Sequence, residues 1–368
     1  MFPLPAKRSP DFLLVLLILS LLAFGLIMVY SASAVWADYK FGDSFYFVKR
    51  QLLFALIGVM AMFFLMNIDY WTWRSWGKLI LIFCFLLLVL VLIPGIGTVR
   101  NGSRSWIGVG AFSVQPSEFM KLAMILFLAK YLAENQKKMT FFAKGLLPTL
   151  LLVMSAFGLI MLQPDLGTGT VMVATCVLMI FVSGARIIHF LLLGMAGIAG
   201  FVLLILSAPY RIQRITAFLD PWQDPLGNGF QIIQSLFAIG PGGLFGLGLG
   251  QSRQKFFYLP EPQTDFIFAI VAEELGFIGA SFALLLFALL LWRGIRTAIN
   301  APDLYGSFLA VGIIAMIAIQ VMINIGVVIG LIPVTGITLP FFSYGGSSLT
   351  LTLMAAGILL NISRHAKI

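Results

Sequence analysis

Long apolar stretches, broken at short intervals by polar and glycine- or proline-bearing segments, run the length of this 368-residue chain. A helix that crosses a bilayer needs about 20 apolar residues. Ten stretches approach that length, near residues 11–32, 47–67, 77–94, 115–133, 145–162, 167–183, 187–207, 266–292, 304–330 and 344–362. The fifth and sixth are short and separated by "QPDLGTGT", a pattern that suits a hairpin or a partly re-entrant pair. The first is long enough to span and lacks a clear small-residue cleavage site, so it is expected to stay as an anchor. The longest polar interval, 208–264, is expected to form a large loop between spans seven and eight. The expected fold class is therefore an all-α polytopic membrane protein, one integral membrane domain over 1–368 with no separate soluble domain.

Composition strengthens this reading. The chain is 61% hydrophobic and 10% charged, whereas a soluble domain carries about 25% charged residues. The net charge of +9 raises the question of nucleic acid, and the positions of the charges answer it. With the N-terminus inside, thirteen of the 23 Lys and Arg residues fall on the cytoplasmic side, nine fall outside, and Lys121 lies within a span. That bias follows the positive-inside rule. Both termini are then cytoplasmic and the 208–264 loop faces outside. The basic excess is a topology signal, and no nucleic-acid partner is expected. Cys84, Cys176, His189 and His365 stand isolated, without metal-ligand spacing. The glycine-rich "GPGGLFGLGLGQS", 240–252, lacks the Lys-Ser/Thr of a P-loop. Its glycines are read as allowing tight turns or close packing of a loop against helices.

Ionisable residues inside apolar runs are costly unless paired, wetted or in use. Glu118 and Lys121 stand at i,i+3 on one helix face, where pairing lowers the burial cost. They fit a structural ion pair or a pair lining a polar cavity. Asp165 follows Pro164 at a helix break and is expected to cap the next helix. Arg100, Arg104, Arg211, Arg214, Arg253 and Lys255 together make a basic outer mouth, suited to lipid headgroups or to an anionic lipid-linked substrate. Trp106, next to that mouth, is a belt anchor or a stacking platform for a sugar. Asp265 stands alone before a strongly apolar segment, after the proline pair Pro260 and Pro262. In a continuous helix Glu273 would lie about 80° around from Asp265 and share its cavity, while Glu274, about 180° around, would face other helices.

The stretches "GSRSWIG", "QPSEFMKLA", "QPDLGTGT", "FQIIQSLFAIGPGGLFGLGLGQS", "LPEPQTDFIFAIVAEELGFIG" and "GLIPVTGITLPFFSYGGSS" resemble the SEDS family of shape, elongation, division and sporulation proteins. "YSASAVWADYKF" and "PEPQTDF" look closest to its sporulation branch. The resemblance covers essentially the whole chain. It implies a ten-helix fold in the bacterial plasma membrane and a peptidoglycan glycosyltransferase. Such enzymes polymerise lipid II into β-1,4 glycan strands and release undecaprenyl pyrophosphate. It also implies a class B penicillin-binding protein as partner, with other divisome or sporulation proteins. The family's key aspartate falls on Asp265, its loop tryptophan on Trp106, its membrane acid and base on Glu118 and Lys121, and its motif serine on Ser343.

This chemistry requires a general base at the outer leaflet, for which Asp265 is the candidate, and cations for a departing pyrophosphate. The candidates for the latter are Arg104, Arg211, Arg214, Arg253 and Lys255, with Trp106, Glu273 and Ser343 as further substrate contacts. No dedicated ligand cage is visible, yet a divalent cation, Mg²⁺ or Mn²⁺, stays open as an alternative partner, with Asp265 as its ligand. A lipid II flippase is the competing expectation, and Glu118, Lys121 and Asp165 would suit its path.

Overall fold

A computed structural model describes residues 9–366 apart from 101, 110–111, 207–211, 214–215, 217 and 228. Its helices are α1 Phe12–Phe41, α2 Tyr46–Asn67, α3 Tyr70–Leu92, α4 Pro116–Asn135, α5 Leu147–Met161, α6 Leu166–Val182, α7 Ile187–Leu206, α8 Phe230–Ile239, α9 Ile267–Ile299, α10 Leu304–Val328 and α11 Gly346–His365. Ten of these fall on the ten expected stretches, and α8 lies within the long loop. Seven are long and apolar enough to cross a membrane: α1, α2, α3, α5 with its lead-in turn from Phe142, α9, α10 and α11. Leu166–Val182 and Ile187–Gly200 are shorter apolar helices, and α4 carries Glu118, Lys121, Lys130 and Glu134. Ten crossings require these three to span as well.

Aspartates at helix starts supply the orphan N–H groups with acceptors. Asp11 caps α1, Asp165 caps α6 and Asp303 caps α10. The middle of the bundle is α4, α10 and α11, which are largely buried. Helix α10 packs on α4, α6 and α9, α11 runs along α2, and α1 lies on α9. Small residues permit these approaches: a Cβ on Gly357 of α11 would stand 2.4 Å from the Met62 carbonyl of α2. One end of the bundle is tied by Tyr70 and Trp71, which both donate to the Asp303 carboxylate, at 2.6 and 2.7 Å. The opposite end gathers the polar loops around residues 115, 165, 264 and 343.

Beyond the helical body, that second end carries a three-stranded antiparallel sheet, which the all-α expectation did not include. Its strands are β1 Gly97–Arg100, β2 Ser103–Val109 and β3 Phe112–Val114. Trp106 pairs with Thr98 and Arg104 with Val99. Ser103 Oγ donates to the Gln163 carbonyl at 2.5 Å, docking the sheet beside the start of α6.

Helix α9 resolves the oddity of its length. Its 33 residues would span about 50 Å if straight. It breaks at Gly276, where φ is 65° and ψ −164°. Residues 267–274 are all buried, so the extra apolar segment packs inside the protein. The glycine-rich loop inserts at the break and satisfies the freed backbone groups, the condition for irregular backbone at membrane depth. Leu247 N and Gly248 N donate to the Glu273 and Glu274 carbonyls, and Phe277 N and Ile278 N donate to the Gly243 and Leu244 carbonyls. A Cβ on Gly246, at φ +79°, would stand 2.1 Å from the Glu274 carbonyl oxygen. Only glycine fits there.

Candidate active site

Asp265 sits in the turn before α9, two residues ahead of its first helical residue. Three side chains from three other elements hold the backbone around it. Asn324 of α10 donates to the Asp265 carbonyl at 2.7 Å and to the Ile337 carbonyl at 2.8 Å. Ser343 Oγ donates to the Thr264 carbonyl at 2.6 Å and accepts from Leu339 N at 2.7 Å. Gln51 of α2 donates to the Ser343 carbonyl at 3.0 Å and accepts from Gly345 N at 3.2 Å. The backbone is thus pinned while the side chain is left available. Among the described residues none donates a hydrogen bond to the Asp265 carboxylate. Burial pushes its pKa up to about 6, and the charge of Glu261 adds to the rise. Gly336 lies alongside, where a Cβ would stand 3.7 Å from Asp265 Oδ2. A cavity of about 320 Å³ opens next to the same two loops, lined by Phe230, Gln231, Pro260 and Val334 among others.

The structure sorts the other expected residues into separate groups. Arg104 and Trp106 lie on β2 on either side of a register shift, paired with the consecutive residues Val99 and Thr98, and both are half-exposed. Arg211 and Arg214 lie outside the described residues. Arg253 has an exposed side chain, and its backbone N–H donates to Glu273 Oε1 at 2.8 Å. Lys255 is buried rather than lining a basic mouth. Its ammonium bonds Glu274 Oε1 at 3.1 Å and the Gly250 carbonyl at 2.5 Å. Its charge is spent inside the protein, which removes it from the candidates for pyrophosphate.

Glu273 and Ser343 are corrected in the same way. Asp265 precedes the helix, so a projection that assumed one continuous helix does not hold. The Glu273 carboxylate is 1% exposed and accepts from Ser252 Oγ at 2.6 Å as well as from Arg253 N. It fastens the glycine-rich loop instead of facing Asp265. Glu274 does face another helix, accepting from Ser31 Oγ of α1. Ser343 is buried with its hydroxyl committed to backbone hydrogen bonds, which hold the loops that frame Asp265.

Asp165 performs the expected cap. Oδ1 accepts from Thr168 N at 3.2 Å, and Oδ2 accepts from Gln115 Nε2 at 2.8 Å and Ser117 Oγ at 3.0 Å. One turn further into α4, Lys121 Nζ lies 2.9 Å from Glu118 Oε1, and both side chains are buried. Glu118 Oε2 is buried without a hydrogen-bond partner among the described residues. Removing one partner of a buried pair strands the other charge and costs about 3–5 kcal/mol. Glu118→Ala is therefore expected to lower the melting temperature and activity together. Replacing both residues by Met separates two roles: restored folding with restored polymerisation marks a structural pair, and restored folding without it marks a cavity-lining pair.

The residues that residue-by-residue reading passed over are Asn324 and Gln51. Each is an amide inside an apolar helix, where an unpartnered amide is expensive, and that cost is the signal that marks them. For a metal, the described residues hold no cluster of three His, Cys, Asp or Glu side chains. Asp265 and Glu261 are the carboxylates at the site.

The chain belongs to the FtsW/RodA/SpoVE family of cell cycle proteins, whose family model matches residues 12–368. It is 76% identical to stage V sporulation protein E of Bacillus subtilis (strain 168), over 98% of this chain and 99% of that one. It is 47% identical to a Trichlorobacter lovleyi protein named "Probable peptidoglycan glycosyltransferase FtsW", over 97% of this chain and 94% of that one. Among solved structures, a chain from a peptidoglycan synthase complex, studied for the coordination of polymerization and crosslinking, superposes with a TM-score of 0.81 at 34% identity, covering 97% of this chain and 98% of that chain.

Proposed function

We infer that this protein is a peptidoglycan glycosyltransferase of the cell membrane that uses lipid II. The observation that carries the reading is Asp265: a carboxylate open to a ligand, raised to about 6 by burial and by Glu261, on a backbone pinned by Asn324 and Ser343. A base of that pKa is half ionised near pH 6 and almost wholly ionised at pH 7, which suits proton abstraction at neutral pH. The acceptor sugar hydroxyl gives its proton to Asp265 as its oxygen bonds to the anomeric carbon of the lipid-linked donor. The bond from that carbon to the pyrophosphate breaks, and the electron pair leaves with undecaprenyl pyrophosphate. Of the cations expected at the outer mouth, Arg104 and Arg253 keep side chains at least half-exposed and are the ones proposed to meet that charge, with Trp106 as a stacking platform for a sugar. Should Mg²⁺ or Mn²⁺ take part, Asp265 and Glu261 would hold it together with pyrophosphate oxygens, where it would offset the leaving charge.

The transport alternative drew on three membrane charges, and each has a partner inside the protein. Glu118 Oε1 pairs with Lys121, and Asp165 caps α6. The testing experiment uses purified protein with lipid II in detergent, with its partner added. Glycan polymer should form, and its rate should climb from pH 5 to pH 7 with a midpoint near 6, then level off. The sign follows because only the deprotonated carboxylate accepts the proton. Persistent absence of polymer would favour transport.

The partner supported by the neighbouring synthase complex is a class B penicillin-binding protein, with other divisome or sporulation proteins around it. The proposed orientation puts both termini in the cytoplasm and the Asp265 end outside. Single cysteines at Leu226 and Lys137, both exposed, test this. An impermeant thiol reagent on intact cells should label position 226 and spare 137, and the reverse pattern would invert the site.

A further inference from the structure

We propose that Asn324 is the positioning residue for Asp265, its one amide group setting where the catalytic carboxylate stands. The inference rests on the base reading above. Asn324 lies near the end of α10, is 1% exposed, and spends both amide N–H groups away from its own helix. One goes to the carbonyl of Asp265 itself, so it restrains the peptide that follows the Asp265 side chain. The other goes to Ile337, the neighbour of Gly336, which borders Asp265 Oδ2. A single planar group therefore fixes the spacing between the carboxylate and the wall it faces. The acceptor half, Asn324 Oδ1, is buried with no hydrogen-bond partner among the described residues. A buried unpaired acceptor is costly, so a group retained only for packing would be better apolar. The arrangement makes sense when two donors are needed at this spot. Ser343 bridges the preceding carbonyl to Leu339 N further along the same segment, whereas Asn324 grips Asp265 itself and the residue next to Gly336.

The test is steady-state polymerisation by purified full-length protein with lipid II, with the folded fraction measured by thermal melting. Asn324→Leu removes both donors at similar volume, and Asn324→Asp keeps the shape and replaces the amide nitrogen with oxygen. A misplacement of about 1 Å can cost about 10²-fold. Either variant should therefore lose about 10–100-fold in kcat per folded molecule, while KM changes less than about threefold. A purely structural role would lower the melting temperature and the folded fraction and leave kcat per folded molecule unchanged. In an Asp265→Asn background the same substitution should cost less than about threefold, because the group it positions is already gone. Unchanged kcat per folded molecule, or a full multiplicative loss in that background, overturns the proposal. If Asn324→Leu does not fold, Asn324→Asp carries both measurements. Failure of the base reading looks different: there Asp265→Asn itself stays active.

Discussion

Asp265→Asn protein should fold normally, bind its partner and make almost no glycan. The substitution preserves shape and removes the base, and loss of a general base commonly costs about 10²–10⁴-fold in rate. Stability should hold for a local reason. The groups that pin this turn grip backbone carbonyls, at Thr264 and Asp265, and a side-chain change leaves them in place. Among the described residues the carboxylate accepts no hydrogen bond that the amide would lose. Removing a buried charge near Glu261 also relieves the repulsion that raises the Asp265 pKa. Asp265→Glu should recover little. Its longer arm must pass Gly336, already close to Oδ2, so its oxygen lands away from the productive position. The measurement is polymer from radiolabelled lipid II, alongside thermal melting and partner co-purification. Normal polymerisation by well-folded Asp265→Asn protein would remove Asp265 from catalysis.

The parts legible in the sequence were those governed by local spacing. The ten apolar stretches became helices because helix length and bilayer thickness share one scale. The i,i+3 spacing of Glu118 and Lys121 placed them together, and Asp165 after a proline capped α6. The misreadings share one cause, a partner distant in sequence. Lys255 looked like part of an open basic mouth because its partner, Glu274, lies 19 residues away on α9, reached only once the glycine-rich loop folds into the break at Gly276. Ser343 looked like a substrate contact because its partner Thr264 is 79 residues distant. The sheet is a different omission. Its alternating residues around 103–107 and the glycine at 102 carried a hairpin signal, outweighed by the apolar runs on either side.

Lys255 is expected to contribute strongly to stability as an internal counter-ion. Two neighbouring glutamates, Glu273 and Glu274, are buried at 1% and 0% exposure, and Lys255 is the cation bonded to Glu274. Glu273 is satisfied by Ser252 Oγ and Arg253 N–H, whereas Glu274 takes Ser31, Ser252 N–H and the Lys255 ammonium. Lys255→Met keeps the stem and deletes the charge, leaving Glu274 without its counter-ion. The expected cost is about 3–5 kcal/mol, seen as a lower melting temperature and as protease cleavage within 243–255, since this loop is what the pair fastens. Glu274→Gln added to Lys255→Met should restore most of the stability, because the stranded charge disappears while Ser31 and Ser252 still find an oxygen. Rescued protein should then polymerise lipid II with a KM close to that of the unmodified chain. A substrate-binding lysine predicts the opposite: Lys255→Met would fold well and show a raised KM that no change at Glu274 corrects. Melting curves and KM from the three proteins decide between an internal counter-ion and a pyrophosphate contact.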